Sequence, residues 1–167
     1  KLKAVFAAYL CDPCGDSPEV EFAVLPEPKV TAALMQAKNY EVKLNLSTEW
    51  DKVSDGSLAM GCIVARNEFI NEHKGAVNRF LDDYKASVDY IADDSHLDES
   101  AETIVNAGVL PKLPIAKAAL ANLKGSIVFQ EGKEMKETLV SFYGVLLESA
   151  PDSIGGALPS DGFYYAR

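Results

Sequence analysis

Long apolar runs are missing from this 167-residue chain. Its uninterrupted apolar stretches fall far short of the roughly 20 residues that a membrane-spanning helix requires, so no such helix is expected. Basic residues are in deficit: 16 Lys and Arg stand against 25 Asp and Glu, a net charge of -9. That balance repels phosphate backbones and anionic lipid surfaces, and nucleic acid is not an expected partner. Cysteine is scarce and odd in number, three in all, so at least one is unpaired and the count assigns neither an oxidising nor a reducing compartment. The two histidines, His73 and His96, each stand among polar residues near helix ends. Neither stands in a serine, cysteine or carboxylate arrangement in sequence that supports a catalytic triad. No catalytic constellation emerges, and neither an enzyme nor a cofactor is expected.

What is present is the composition of a globular protein, 48% apolar and 25% charged. A chain of this length buries roughly 70% of its unfolded surface as one domain. Lys1-Leu2-Lys3 followed by Ala4–Leu10 is short for a signal peptide and lacks a small-x-small cleavage site, so it reads as a buried helix or strand. Cys11-Asp12-Pro13-Cys14-Gly15-Asp16-Ser17-Pro18 is a loop. Val20 to Leu25 reads as a buried strand ending at Pro26, because Pro26-Glu27-Pro28 has two residues with fixed φ and no backbone donor. Thr31 to Lys38 suits a helix. Tyr40 to Leu46 alternates apolar and polar residues as a half-exposed strand does. Strand, helix and strand in thirty residues is the unit of a parallel sheet. Asp51 to Ser57 is a turn or loop, and Leu58 to Ala65 is another expected strand.

Beyond Ala65 helices dominate. Val77, Phe80, Leu81, Tyr84, Val88 and Ile91 fall on one stripe of a helix from Gly75 to Asp93. Ser95 and Asp98 resemble a capping box opening a second helix that ends near Gly108. Pro111 and Pro114 separate it from a third, Ile115 to Leu123. Ile127–Phe129 looks extended. Met135, Leu139, Phe142, Tyr143 and Leu146 mark the stripe of a last helix closing near Ala150-Pro151. The tail from Ser153 to Tyr165 has no period but keeps three aromatics, so it is expected to dock rather than to remain disordered.

Three passages occur in a familiar order: Phe22-Ala23-Val24-Leu25-Pro26-Glu27-Pro28, then Met60-Gly61-Cys62-Ile63-Val64-Ala65-Arg66-Asn67-Glu68-Phe69, then Ile154-Gly155-Gly156-Ala157-Leu158-Pro159 with Phe163-Tyr164-Tyr165. Together they resemble the later part of solute-binding proteins of ABC importers, in the nitrate, sulfonate and thiamine-precursor group. The resemblance implies an α/β fold of the periplasmic-binding-protein type II-like kind, part of a two-lobed structure with helices packed on a short mixed or parallel sheet. It implies an extracytoplasmic or lipid-anchored protein that holds a small solute between lobes and is read by a membrane permease. Members are about twice this length. On that alignment residues 1–57 close the second lobe, with 1–19 unmatched, residues 58–66 are the hinge return strand, and residues 67–167 are helices of the first lobe with a docked tail. An N-terminal portion or a second chain would complete the fold.

Candidate ligand-binding residues follow. Pro26, Glu27 and Pro28 sit where a strand is expected to end, the usual place for a crevice in open α/β sheets. The prolines stiffen the backbone, and Glu27 offers an acceptor to a cationic or hydroxylated solute. A surface turn with a solvated glutamate explains the same letters. Met60 and Gly61 fall where the resembling family crosses between lobes, an adaptable apolar wall beside a flexible backbone; a strand with a glycine bulge is the plain reading. Cys11 and Cys14 are weak metal candidates, since a structural zinc needs two more ligands and only Cys62, His73 and His96 are on offer. Loop thiols or a local disulfide suit them better. Trp50 is read as core packing before cleft wall. The other functional classes consistent with the chain are an enzyme like the thiamine-pyrimidine synthases, whose cysteine-rich motif is absent here, and a CxxC metal or redox module.

Overall fold

The computed structural model describes residues 23–36, 40–54 and 58–167. Every regular element among them is helical: α1 Lys29–Gln36, α2 Leu46–Trp50, α3 Asn67–Glu72, α4 Lys74–Ala92, α5 Leu97–Asn106, α6 Leu113–Asn122 and α7 Gly132–Ser149. Short 3-10 turns occupy Asp94–His96, Pro151–Ile154 and Asp161–Phe163. Two compact units are formed, each from discontinuous stretches. Of the described residues, the first comprises 23–36, 40–41 and 94–126, the second 42–54, 58–93 and 127–167.

In the first unit α5 packs along α6, and α1 packs on α6 as well. The contact is made by small side chains. Ala101 of α5 and Ala116 of α6 are 0% exposed and Ala119 is 2% exposed, which lets the helix backbones approach closely. Ile115 and the polar Thr31 and Ser100 complete the buried set. Gly108, at φ +73°, ends α5. Its N–H donates to Val105 O while that of Val109 donates to Ile104 O, the paired bonds of a Schellman stop, which needs a left-handed residue at this position. Pro114 lies inside the first turn of α6 instead of before the helix, where its missing N–H costs nothing.

In the second unit the long helices are α4 and α7. Val88 and Leu139 are their buried apolar residues. The stripe expected on α4 has the right phase but is incompletely covered: Val77, Leu81 and Ile91 are half-buried, whereas Phe80 and Tyr84 are 50% and 41% exposed. Those two rings stack on one another, and Tyr84 meets Phe129 edge-on. Trp50 packs against Phe142 of α7 with centroids 5.5 Å apart, as a packing role for it requires.

The α/β expectation is overturned, because the described residues contain no β-strand and no sheet. Residues 23–25, 40–45, 58–65 and 127–129, all read as strands, run as irregular chain, and Val20 to Phe22 lie outside the described residues. Strand propensity is mostly the benefit of packing on neighbouring strands, and no ladder partner is present among the described residues to supply it. At the end of the second segment a local signal prevails. Asn45 Oδ1 accepts from the N–H groups of Ser47 and Thr48 at 3.0 and 3.2 Å, and this cap starts α2 at Leu46, the residue that the alternation from Tyr40 assigns to the end of a strand. The capping box expected at Ser95 is replaced by a 3-10 turn, with α5 beginning one residue after His96.

Candidate functional site

The loop before α1 carries the best-defined polar cluster of the first unit. Pro26 O accepts from the N–H of Lys29 and Val30, and Pro28 O accepts from Ala32 N–H, so the chain turns directly into α1. Glu27 is thereby placed at the N-terminal end of that helix, where the dipole favours a carboxylate. One turn on, Thr31 Oγ1 donates to Glu27 Oε1 at 3.0 Å. From α6, Asn122 Nδ2 donates to the same Oε1 at 3.1 Å and to Thr31 Oγ1 at 3.0 Å. The three side chains close a ring of hydrogen bonds joining α1 to α6.

The second carboxylate oxygen is different. Glu27 Oε2 is shielded from solvent and has no hydrogen-bond partner among the described residues. A shielded acceptor left without a donor carries the desolvation penalty of its group, on the order of 1–3 kcal/mol or more when charged. Oε1, held by two donors, fixes the carboxylate plane, so Oε2 has a defined direction. The arrangement can accept a hydrogen bond from an approaching N–H or O–H group.

The remaining candidates are placed as follows. Pro26 and Pro28 flank Glu27, and Pro28 follows a cis peptide bond. Met60 and Gly61 belong to the second unit, within the irregular stretch 58–65. Met60 is 77% exposed, and a Cβ added at Gly61 would meet nothing within 4 Å, so close packing does not demand a glycine there. Cys11 and Cys14 lie outside the described residues. Cys62 is a free, exposed thiol, and among the described residues no group of three or more His, Cys, Asp or Glu is arranged to hold a metal ion. His73 follows α3 with its ring 4.9 Å from that of Phe69.

Thr31 and Asn122 were not singled out by the sequence. Thr31 carried a faint signal, since it stands four residues after Glu27 at a helix start. Asn122 carried none, being 95 residues from Glu27 and joined to it only by the packing of α6 on α1.

A second polar cluster occupies the other unit. Lys136 of α7 pairs with Asp161 at 2.8 Å and lies 5.7 Å from the ring centre of Tyr164. The hydrogen bond and charge of Asp161 raise the Lys136 pKa, and Lys136 lowers that of Asp161 by the same means. Burial, then the nearby Cys62 and Tyr164, raises the Tyr143 phenol. Lys133, Lys136, Glu137, Val140 and Ser141 line a shallow open depression of about 440 Å³ on α7.

No protein-family model, curated protein or solved structure matches the chain.

Proposed function

We propose that the chain binds a small solute bearing a hydrogen-bond donor or positive charge, with the Glu27 carboxylate as its acceptor. One observation carries this reading: Oε1 is fixed by Thr31 and Asn122 while the shielded Oε2 has no donor among the described residues. A solute N–H or O–H at Oε2 would replace the hydration that the oxygen has lost. Its immobilised partners reduce the ordering cost of binding. The role as an extracytoplasmic component of an ABC-type importer, presented to a membrane permease, rests on the resemblance of the passages at Phe22–Pro28, Met60–Phe69 and Ile154–Tyr165 to that group of binding proteins. Within the group, a carboxylate acceptor favours aminopyrimidine-like or amine solutes over nitrate and sulfonate, which are anions without donors.

A melting-temperature screen tests the proposal. Small amines, hydroxylated amines, aminopyrimidines, nitrate and alkyl sulfonates are added singly to the chain. A donor-bearing solute present at a hundred times its Kd should raise Tm by roughly 5–10 °C, through about 2.7 kcal/mol of linkage. A response to nitrate or sulfonates alone would reject Glu27 as the acceptor. Silence across the panel would reject solute binding.

A further inference from the structure

We propose that residues 161–167 form an electrostatic latch, closed by Arg167, that covers one stretch of α7 and opens as a unit when ionic strength rises. The Arg167 side chain is only 23% exposed. Its Nη1 donates to Asp82 Oδ1 at 2.6 Å and to the carbonyl of Asn78 at 3.0 Å, both on α4. Nη2 donates to Glu131 Oε1 at 3.0 Å, and Nε lies 2.8 Å from Glu131 Oε2, just ahead of α7. The guanidinium thus faces α4 on one side and Glu131 on the other, with one hydrogen bond and a close charge contact to that carboxylate. Hydrogen bonds to Glu131 and then Asp82 raise its pKa, consistent with a cation held by two anions.

The rest of the segment follows the same path. Tyr165 Oη donates to Asn78 Oδ1 at 2.7 Å, and Asp161 pairs with Lys136. Between these points Phe163 meets Tyr143 edge-on, and the Tyr164 hydroxyl is shielded from solvent. These polar anchors of the strap are pairs of opposite charge or bonds to Asn78, and it meets α7 at Lys136 and Tyr143. Asp82 and Asp161 are exposed, by 68% and 92%, while Glu131 is half-buried. Pairs of this kind are screened as the Debye length contracts from about 10 Å at 0.1 M salt to about 3 Å at 1 M. Because Arg167 and Tyr165 both bond to Asn78, loss of the guanidinium weakens that end of the strap together, and the Asp161–Lys136 pair alone then anchors the other end.

Hydrogen exchange read by mass spectrometry on the full chain tests this. The amides of Phe163 and Tyr164, which donate to Ser160 O and Asp161 O, report the strap. Arg167→Ala should speed their exchange by about tenfold or more and also loosen residues 136–143, while α5 and α6 stay as in wild type. Wild type in 1 M NaCl should approach the variant, the variant should respond to salt less than wild type because only the Asp161–Lys136 pair remains to be screened, and Arg167→Lys should fall between them. Trp50, the chain's one tryptophan, keeps its emission maximum if its contact with Phe142 on α7 is intact. Exchange unchanged by Arg167→Ala, or rising equally in α5 and α6, would overturn the latch. So would a wild-type strap that ignores salt.

Discussion

Three residues concentrate the chemistry of the first unit. Glu27, Thr31 and Asn122 share one ring of hydrogen bonds, so their substitutions should be coupled. Thr31→Val removes the donor from one turn of α1 and leaves Oε1 with Asn122 alone, which should cost about 1–2 kcal/mol in urea denaturation. Made on top of Glu27→Ala, the same change should cost much less, and a double-mutant cycle measures the difference. Ser100 presents the opposite case: it is 3% exposed, and its hydroxyl has no partner among the described residues. Ser100→Ala should raise stability by about 1 kcal/mol, seen as a higher urea midpoint with unchanged slope. Titration gives a third residue-scale test. Asp161 has its pKa lowered by Lys136, so its contribution is present above the ordinary carboxylate range and is lost as pH falls through the lowered value. Lys136, raised by Asp161, contributes below the ordinary lysine range and loses that contribution as pH rises through the raised value. NMR titration should place the Asp161 carboxyl below the exposed aspartates in wild type and among them in Lys136→Ala.

At the level of elements, helices were legible where period and stop signals agreed. The stripe from Val77 to Ile91 places α4 within a residue of its bounds, and Gly108 marks the end of α5 because only its φ of +73° permits that stop. Gly108→Ala should cost about 1–2 kcal/mol and fray the last turn of α5. Circular dichroism with urea melts checks it. The strands failed for a common reason. Leu58–Ala65 is an unbroken apolar run, and an apolar run is a strand only when other strands flank it, a long-range fact that no window of sequence contains. Tyr40–Leu46 failed locally as well, since Asn45 caps a helix that takes Leu46. The site was half legible: Pro26-Glu27-Pro28 announced a rigid acceptor, whereas Asn122 reaches it only through the alanine contacts that seat α6 in its unit.

For the whole chain, the balance between apolar content and burial governs behaviour. Nearly half the residues are apolar, yet the buried apolar set of the described residues is Val88, Ala101, Ile115, Ala116, Ala119 and Leu139. Val42, Leu44, Met60, Ile63 and Val64 remain exposed on irregular chain. Such surface binds apolar dyes, so the native chain at neutral pH should enhance anilinonaphthalene sulfonate fluorescence well above that of a fully packed domain of equal size. Its net charge of -9 opposes self-association, and salt should reduce solubility as the repulsion is screened.

The most direct test of the account is calorimetric titration of one aminopyrimidine, cytosine, and one amine, ethanolamine, into wild type, Glu27→Ala and Asn122→Ala. Binding of either solute by wild type, abolished in Glu27→Ala and weakened by about tenfold in Asn122→Ala, is the predicted result, since the second variant keeps the acceptor but loses its brace. Equal affinity in all three proteins, or no heat with either solute, would contradict it.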